Sequence, residues 1–236
     1  MNNCFAEFLG TLILILFGNG VVANVLLQKS KGQNSGWIVI TFGWAMAVFV
    51  AVFAVSKYSG AHLNPAVSVC LALAGKFDWS LVPMYILCQV AGAFCGALLV
   101  WLTYRQHFAA TEDAGLKLAV FSTGPAIPNR FYNLLTETIA TAIFLLLVLM
   151  IVSPSNSLGS IDALPVALLV LAIGLSLGGP TGYAINPARD LGPRMAHAVL
   201  PMGNNKNSQW VYAWIPVVGP LLGAVLAAMV FKAISQ

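Results

Sequence analysis

The stretch that decides the fold is SGAHLNPAV at residues 59–67, and a second copy of it, GYAINPARD, lies at residues 182–190. Each copy is an irregular run containing glycine that ends in Asn-Pro-Ala. Asparagine is a strong helix N-cap, and proline suits the first helical position because its missing N–H would have no partner there. We therefore predict helices from Asn64 to about Leu73 and from Asn186 to about Val199. Both are too short to span a bilayer, which needs ~20 residues.

The composition is that of a membrane protein. Of the 236 residues, 59% are hydrophobic and 8% are charged, and the mean hydropathy is +0.87. A soluble domain carries about 25% charged residues, so we predict a chain that crosses the bilayer several times. The net charge of +4 comes from scattered basic residues, which argues against a nucleic-acid partner. The sequence has no metal cluster, phosphate loop or catalytic Ser-His pair, so we expect no metal, no cofactor and no enzyme activity.

The four cysteines lie in or beside apolar segments without metal-binding spacing, and we expect them to be small buried side chains. They are Cys4, Cys70, Cys88 and Cys95.

Six apolar runs are long enough, or nearly so, to span a bilayer. They cover about 5–27, 37–55, 81–103, 132–153, 163–179 and 210–231. The two Asn-Pro-Ala helices follow the second and the fifth of these spans.

The chain also repeats itself. Glu7 lies in the first span and Glu137 in the fourth, while the third and sixth spans carry Gly-x-x-x-Gly motifs, which allow helices to approach closely. Because each half has an odd number of spans, the second half must enter the membrane from the opposite side. We predict an all-α membrane protein with six transmembrane helices and two half-helices in an inverted three-plus-three repeat. Residues 1–107 form the first repeat, 108–130 a connecting loop and 131–236 the second repeat.

In this geometry the two half-helices meet with their N-termini at the midplane. Each N-terminus carries about half a positive charge, which opposes cations but not neutral molecules. Asn64 and Asn186 can each offer an amide N–H to a passing oxygen. The irregular stretches 59–63 and 179–185 would present unpaired carbonyl groups along a wet passage. A single polar strip between apolar walls suits a neutral solute with hydroxyl groups.

The paired Asn-Pro-Ala motifs, the inverted repeat and the two buried glutamates resemble the aquaporin superfamily over the whole chain. Within this superfamily, the motif Asn-Pro-Ala-Arg-Asp that ends at Asp190 resembles the glycerol-facilitator, or aquaglyceroporin, branch. Water-specific members usually have a small residue at the position of Asp190. The resemblance implies a passive channel for glycerol and similar small neutral solutes that also passes water and excludes ions and protons. It further implies a homotetramer in the plasma membrane, in contact with the lipid bilayer, with both termini in the cytoplasm.

The resemblance also implies a selectivity ring of four residues: Trp44, Gly174, Tyr183 and Arg189. Trp44 and Tyr183 would form an apolar corner, and Arg189 would donate hydrogen bonds to hydroxyl groups on the opposite edge. Gly174 stands where water-specific channels have histidine, and it leaves room that a histidine would fill. Tyr183 stands where facilitators more usually have phenylalanine.

The remaining predicted site residues fall into two groups. We expect the pore to be lined by Gly60, Ala61, His62, Leu63, Gly182, Ala184 and Ile185. We expect structural support from Glu7, Glu137, Pro65, Pro187 and Asp190. The two glutamates would brace the irregular loops through hydrogen bonds rather than carry protons, and Asp190 would hold a neighbouring loop.

Two other functions stay open from sequence. One is a water-selective aquaporin, against which Trp44, Gly174 and Asp190 argue. The other is a secondary transporter coupled to H⁺ or Na⁺, which would need an ionisable residue at the midplane, and only the two glutamates are available for it. The solute itself also stays open among glycerol, dihydroxyacetone, urea, lactic acid and hydrogen peroxide.

The orientation is ambiguous as well. With the N-terminus inside, three lysines face inward and six basic residues face outward, against the positive-inside rule. Charge alone therefore predicts the orientation opposite to the one that the resemblance implies.

Overall fold

The computed structural model of the chain describes residues 1–151, 161–203 and 206–235, and within them it contains helices and no β-strand. The helices are α1 (Asn3–Leu26), α2 (Trp37–Ser59), α3 (Pro65–Leu73), α4 (Val82–Thr103), α5 (Arg105–Ala110), α6 (Ala114–Phe121), α7 (Arg130–Ile151), α8 (Ala163–Leu177), α9 (Pro187–Val199) and α10 (Ile215–Ile234). A 3₁₀ turn, Trp79–Leu81, leads into α4.

The predicted spans correspond to α1, α2, α4, α7, α8 and α10. Five of these are long and apolar enough to cross a membrane, while α8, with 15 residues, is shorter. This helix stops before a Gly-Gly-Pro run at 178–180, which cannot continue it. The sixth span begins at Ile215 rather than near residue 210, because residues 210–214 form turns. The predicted end of the fourth span, 152–153, lies outside the described residues.

The two short helices begin as the Asn-Pro pairs predict. The Asn64 side chain accepts a hydrogen bond from the Ala66 amide at 2.8 Å, and Pro65 is the first residue of α3. At α9 the Asn186 side chain accepts from the amides of Ala188 and Arg189 at 3.0 and 3.2 Å. Both caps satisfy backbone donors that have no partner within the helix.

The two halves of the chain pack in the same way. In the first half α1 lies along α4, and in the second half α7 lies along α10. Across the halves α2 packs on α8, α3 on α10 and α9 on α4. Each short helix is thus inserted into the opposite half, which joins the two repeats into one body.

The Gly-x-x-x-Gly motifs are the places where these helices touch, as the sequence predicts. A Cβ atom on Gly92 of α4 would lie 2.2 Å from the carbonyl oxygen of Phe8 in α1. One on Gly223 of α10 would lie 2.7 Å from the carbonyl oxygen of Thr138 in α7. Contacts this short leave no space for any side chain, so each helix pair needs glycine there.

The structure corrects the prediction for two of the four cysteines. Cys4 and Cys88 are joined by a disulfide with a Cα–Cα distance of 5.7 Å. The packing of α1 along α4 brings together two residues that are 84 positions apart, and no local pattern signals such a pair. Cys70 is free and buried, as predicted, while Cys95 is free and half-buried.

The connection between the repeats holds two short helices, α5 and α6, which the sequence analysis did not predict. The Asp113 carboxylate caps α6 by accepting hydrogen bonds from the amides of Gly115 and Leu116 at 2.7 and 3.1 Å. Beyond α6 the chain reaches Thr123, whose amide and hydroxyl both bond to Asp190.

Candidate functional site: a cavity between the two short helices

Two reciprocal hydrogen bonds join the N-termini of α3 and α9. The Asn64 Nδ2 atom donates to the carbonyl oxygen of Ile185 at 2.8 Å, and the Asn186 Nδ2 atom donates to that of Leu63 at 2.8 Å. Each amide nitrogen carries two hydrogens, so one donor on each asparagine is left over after this exchange. The two motifs therefore form one site, although they are far apart in the sequence.

The loops before the two short helices have matching backbone conformations. Gly60 and Gly182 have φ angles of 82° and 84°. The residues just after these glycines and just before the asparagines also have positive φ: Ala61 (50°), Leu63 (51°), Tyr183 (41°) and Ile185 (44°). A left-handed conformation costs a residue other than glycine about 1–2 kcal/mol. Something must therefore hold each loop in this shape.

A buried carboxylate holds the first loop. Glu7 of α1 accepts hydrogen bonds from the Ser59 hydroxyl at 2.6 Å and from the amides of His62 and Leu63 at 3.0 and 2.7 Å. The Gln89 side chain of α4 donates a fourth bond at 2.7 Å. Hydrogen bonds to charged groups are the strong ones in proteins, about 1.5–3 kcal/mol each, which is enough to offset the cost of the loop conformation.

Glu137 of α7 does the same in the second repeat. Its carboxylate accepts from the Thr181 hydroxyl at 2.6 Å and from the amides of Ala184 and Ile185 at 3.0 and 2.9 Å. The donors stand in the same order as in the first loop: a hydroxyl, then the amides of the two residues before the asparagine. The inverted repeat thus extends to individual hydrogen bonds.

Both loops line one cavity of about 430 Å³. Its lining includes residues 60–64 and 183–186 of the two loops. Most of the remaining lining residues are apolar, among them Leu14, Val48, Val52, Val67, Leu71, Phe144, Val148, Val166 and Val170. Ser56, Lys76 and Asp162 add polar or charged side chains. The cavity thus combines the two loop segments with a mostly apolar lining.

Three of the four predicted ring residues meet at this cavity. Arg189, Trp44 and Tyr183 all line it, and their exposed fractions are only 7%, 4% and 4%. The Arg189 guanidinium lies over the indole of Trp44, with 4.1 Å between the Arg189 Cζ atom and the ring centroid. The Arg189 Nη1 atom is buried with no hydrogen-bond partner among the described residues. Arg189 therefore brings a guanidinium, a group that only donates hydrogen bonds, to the wall of the cavity.

Gly174, the fourth predicted ring residue, does not line the cavity directly. A Cβ atom on it would lie 2.9 Å from Tyr183 Cζ, 3.1 Å from the Tyr183 hydroxyl oxygen and 3.0 Å from the Thr41 methyl. The space beside Gly174 is therefore filled by the Tyr183 ring. Trp37 completes this wall, since its Nε1 atom donates to the Gly174 carbonyl at 3.0 Å and its ring packs edge-on against Tyr183.

Asp190 points away from the cavity. Its carboxylate accepts hydrogen bonds from the Thr123 amide and hydroxyl at 2.8 and 2.7 Å, and it forms an ion pair with Arg194 at 2.7 Å. Arg194 is fully buried and also donates to the carbonyl oxygens of Thr123 and Ser208 at 2.9 and 2.8 Å. These bonds connect two segments to Asp190 and Arg194 in α9: the segment between the repeats and the segment that follows α9.

His62 also lines the cavity and lies two residues before Asn64 in the first loop. Its Nδ1 atom is 3.0 Å from the Ser68 hydroxyl, and its ring packs against Phe77 and Tyr85. The cavity is also lined by Gly60, Ala61, Leu63, Ala184 and Ile185. Gly182 does not line it, and a Cβ atom there would face Thr123 at 3.4 Å.

Three residues of this site were not singled out from the sequence: Trp37, Gln89 and Arg194. Arg194 follows Asp190 by four positions in a short helix, so the spacing of a helical ion pair was available as a signal. The other two act through contacts between different helices, for which the sequence carries no local signal.

Comparison with known proteins finds relatives that match almost the whole length of the chain. The family model described as major intrinsic protein matches residues 1–231. A probable glycerol uptake facilitator protein of Thermotoga maritima is 55% identical over 233 residues, which is 98% of this chain and 99% of the relative. A glycerol uptake facilitator protein of Bacillus subtilis is 50% identical and is covered to 85% of its length, against 99% of this chain. The crystal structure of the aquaglyceroporin from Plasmodium falciparum superposes with a TM-score of 0.85 at 31% identity, over 99% of this chain and 96% of that one.

Proposed function

We propose, from the premise that this chain belongs to the major intrinsic protein family, that it is a passive membrane channel for glycerol and similar small neutral solutes. The observation that carries the proposal is the cavity that runs between the two opposed helix N-termini and is bounded by Trp44, Tyr183 and Arg189. The family consists of channels rather than enzymes, and the relatives are named for glycerol uptake. A water-selective aquaporin is not favoured by these relatives.

The ring suits a molecule with hydroxyl groups on one edge and carbon on the other. Arg189 lines the cavity and supplies only hydrogen-bond donors. Trp44 and Tyr183 supply apolar surface for a carbon backbone. We infer that a polyol passes with its hydroxyl oxygens toward Arg189 and its carbons in the aromatic corner.

Beyond the ring, we infer that the carbonyl groups of the two loops accept hydrogen bonds from the solute. Glu7 and Glu137 engage amides of the two loops, and we infer that this leaves loop carbonyl oxygens facing the cavity. The leftover N–H groups of Asn64 and Asn186 add donors at the centre. A solute can therefore exchange one hydrogen bond for the next as it moves, which keeps the barrier to passage low.

Ions are opposed at the centre by the two helix N-termini. Each bears about half a positive charge, and the two face the same point. A cation would also have to leave its water shell in a cavity whose walls are mostly apolar, and this costs several kcal/mol. In this proposal Glu7 and Glu137 are braces, since each carboxylate is already engaged by several donors.

The protein is membrane-embedded, and we propose that it lies in the plasma membrane as a homotetramer with both termini in the cytoplasm. Six spans put the two termini on the same side of the membrane. The cytoplasmic side rests on the family resemblance, against the bias of the basic residues. Labelling of a single cysteine introduced at the C-terminus, on intact and on permeabilised cells, tests it.

The function is tested with purified protein in liposomes, by stopped-flow light scattering under a glycerol gradient. We expect glycerol permeability about tenfold or more above that of empty liposomes, since each 1.4 kcal/mol removed from the barrier raises the rate by a factor of ten. We also expect no dependence on a pH or Na⁺ gradient, because a passive channel is not coupled to ion flow. Glycerol uptake that requires either gradient would replace the channel by a coupled transporter. Water flux without glycerol flux would restore the water-selective alternative.

A second test uses the ring. Gly174→His would place an imidazole where the Tyr183 ring now packs, and we expect it to reduce glycerol flux far more than water flux. Equal losses of both would argue that Gly174 does not shape the ring.

A further inference from the structure

Gly18 of α1 lies directly against the indole of Trp44 in α2. A Cβ atom at position 18 would lie 2.2 Å from Trp44 Cζ3 and 2.4 Å from both Cε3 and Cη2. Three nearly equal distances place this point over the face of the six-membered ring rather than beyond its edge. Non-bonded carbon atoms approach to about 3.5–4.0 Å, so any side chain at this position must push the indole away by roughly 1.5 Å.

The Arg189 guanidinium also lies over this ring, with the Cζ atom 4.1 Å from the ring centroid. Because the backbone at Gly18 occupies one face of the ring, the guanidinium must lie over the other. The indole is thus held between the backbone of α1 and the guanidinium, and both Trp44 and Arg189 line the cavity. A ring displaced from Gly18 presses on the guanidinium, so both side chains shift and the part of the cavity that they line changes shape.

We propose that Gly18 sets the width of the selectivity ring and thereby the largest solute that passes. It acts through Trp44 and does not touch the solute, so it is a positioning residue that determines specificity. This inference rests on the proposed function, because it assumes that Trp44 and Arg189 bound the solute path.

The expected effect is selective by size. Water is smaller than a three-carbon polyol, so a shift of roughly 1.5 Å at Trp44 obstructs the polyol first. The solute then has to force the indole back against α1, and tight packing resists such movement. The added barrier therefore falls on glycerol and larger polyols and largely spares water.

The chain offers a matched control in the same helix. Gly20 lies two residues after Gly18, and a Cβ atom on it would meet nothing within 4 Å. Gly18→Ala and Gly20→Ala both add one methyl group and raise helix propensity by the same amount. Only the first of them encounters Trp44. The double variant Gly18→Ala/Trp44→Phe replaces the indole by a smaller ring and makes room for the new methyl group.

The experiment measures glycerol and water permeability of the full-length protein in liposomes, for wild type and these three variants. For Gly18→Ala we expect a fall in glycerol permeability of about tenfold or more, with water permeability changed less than about threefold, as overpacking by one methyl group can supply this barrier. Gly20→Ala should match wild type, and the double variant should recover glycerol permeability.

The possible outcomes distinguish a failure of the inference about Gly18 from a failure of the proposed function. A Gly18→Ala protein with the wild-type ratio of glycerol to water overturns the inference and leaves the proposed function intact. A fall that is larger for glycerol than for water supports the inference if Trp44→Phe restores the wild-type ratio, and overturns it if the ratio is not restored while the protein stays monodisperse. A wild-type protein that does not conduct glycerol overturns the proposed function and, with it, the inference.

Discussion

Asn64 donates a 2.8 Å hydrogen bond from its amide nitrogen to the carbonyl oxygen of Ile185, a residue 121 positions later in the other repeat. Its counterpart runs from Asn186 to Leu63. Each asparagine thus caps its own helix through its oxygen and ties down the opposite loop through its nitrogen. An amide is the group that can do both, because it carries an acceptor and two donors.

Asn64→Asp separates these two tasks. The carboxylate still accepts from the Ala66 amide, but it cannot donate to Ile185 and it puts a negative charge between the two helix N-termini. We expect the barrier to cations to fall, and stability to fall by about 1–3 kcal/mol, since a buried carbonyl loses its partner. Cation flux into dye-loaded liposomes and thermal unfolding in detergent measure the two effects. Asn34→Asp makes the same charge change on an exposed residue and should alter neither.

Glu137→Gln tests the braces. The substitution keeps the shape but turns one oxygen acceptor into a donor that faces Thr181, Ala184 or Ile185, all of which already donate. We expect a loss of about 2–3 kcal/mol of stability, together with reduced glycerol flux, because the second loop then lacks the bonds that hold its left-handed residues. Thermal unfolding is the direct measurement. The same change at Glu112, which is exposed, is the control, and equal effects at the two sites would contradict a bracing role.

Tyr183→Phe asks whether the hydroxyl or the ring face of Tyr183 matters. The hydroxyl oxygen is buried without a partner among the described residues and lies beside Gly174 and Thr41 rather than in the cavity. Removing it should stabilise the protein by about 1 kcal/mol, because a buried unpaired hydroxyl is costly. Glycerol permeability should stay close to wild type, whereas Tyr183→Ala should admit larger polyols. A marked drop in glycerol flux for Tyr183→Phe would mean that the hydroxyl binds the solute.

Arg194→Met leaves the Asp190 carboxylate buried without its ion-pair partner. Breaking one side of a buried ion pair typically costs 3–5 kcal/mol, so we expect a large drop in unfolding temperature or loss of folded protein. Arg130→Met, at the exposed start of α7, should change stability by no more than about 0.5 kcal/mol. Similar behaviour of the two variants would show that the Asp190–Arg194 network does not hold the connection between the repeats.

Much of the architecture was predictable because its signals are local. Apolar runs of sufficient length indicate spans, and Asn-Pro marks the first turn of α3 and of α9 wherever the rest of the chain lies. The two Gly-x-x-x-Gly motifs indicated which helices meet closely. The family resemblance added the ring residues, and Trp44, Tyr183 and Arg189 do lie together at the cavity.

The sequence by itself therefore determined the six spans and the two short helices, since each depends on residues within a few turns of one another. It also determined the inverted repeat, since the two halves carry matching motifs and three spans each. Only the tertiary structure decided that Cys4 bonds to Cys88, that Gly18 lies under Trp44 and that Tyr183 fills the space beside Gly174. These are contacts between helices distant in the chain, and their distances depend on how the helices pack rather than on any periodic pattern. The width of a pore is a difference between such packed surfaces, and a shift of about 1 Å, too small to leave a trace in sequence, is enough to change it.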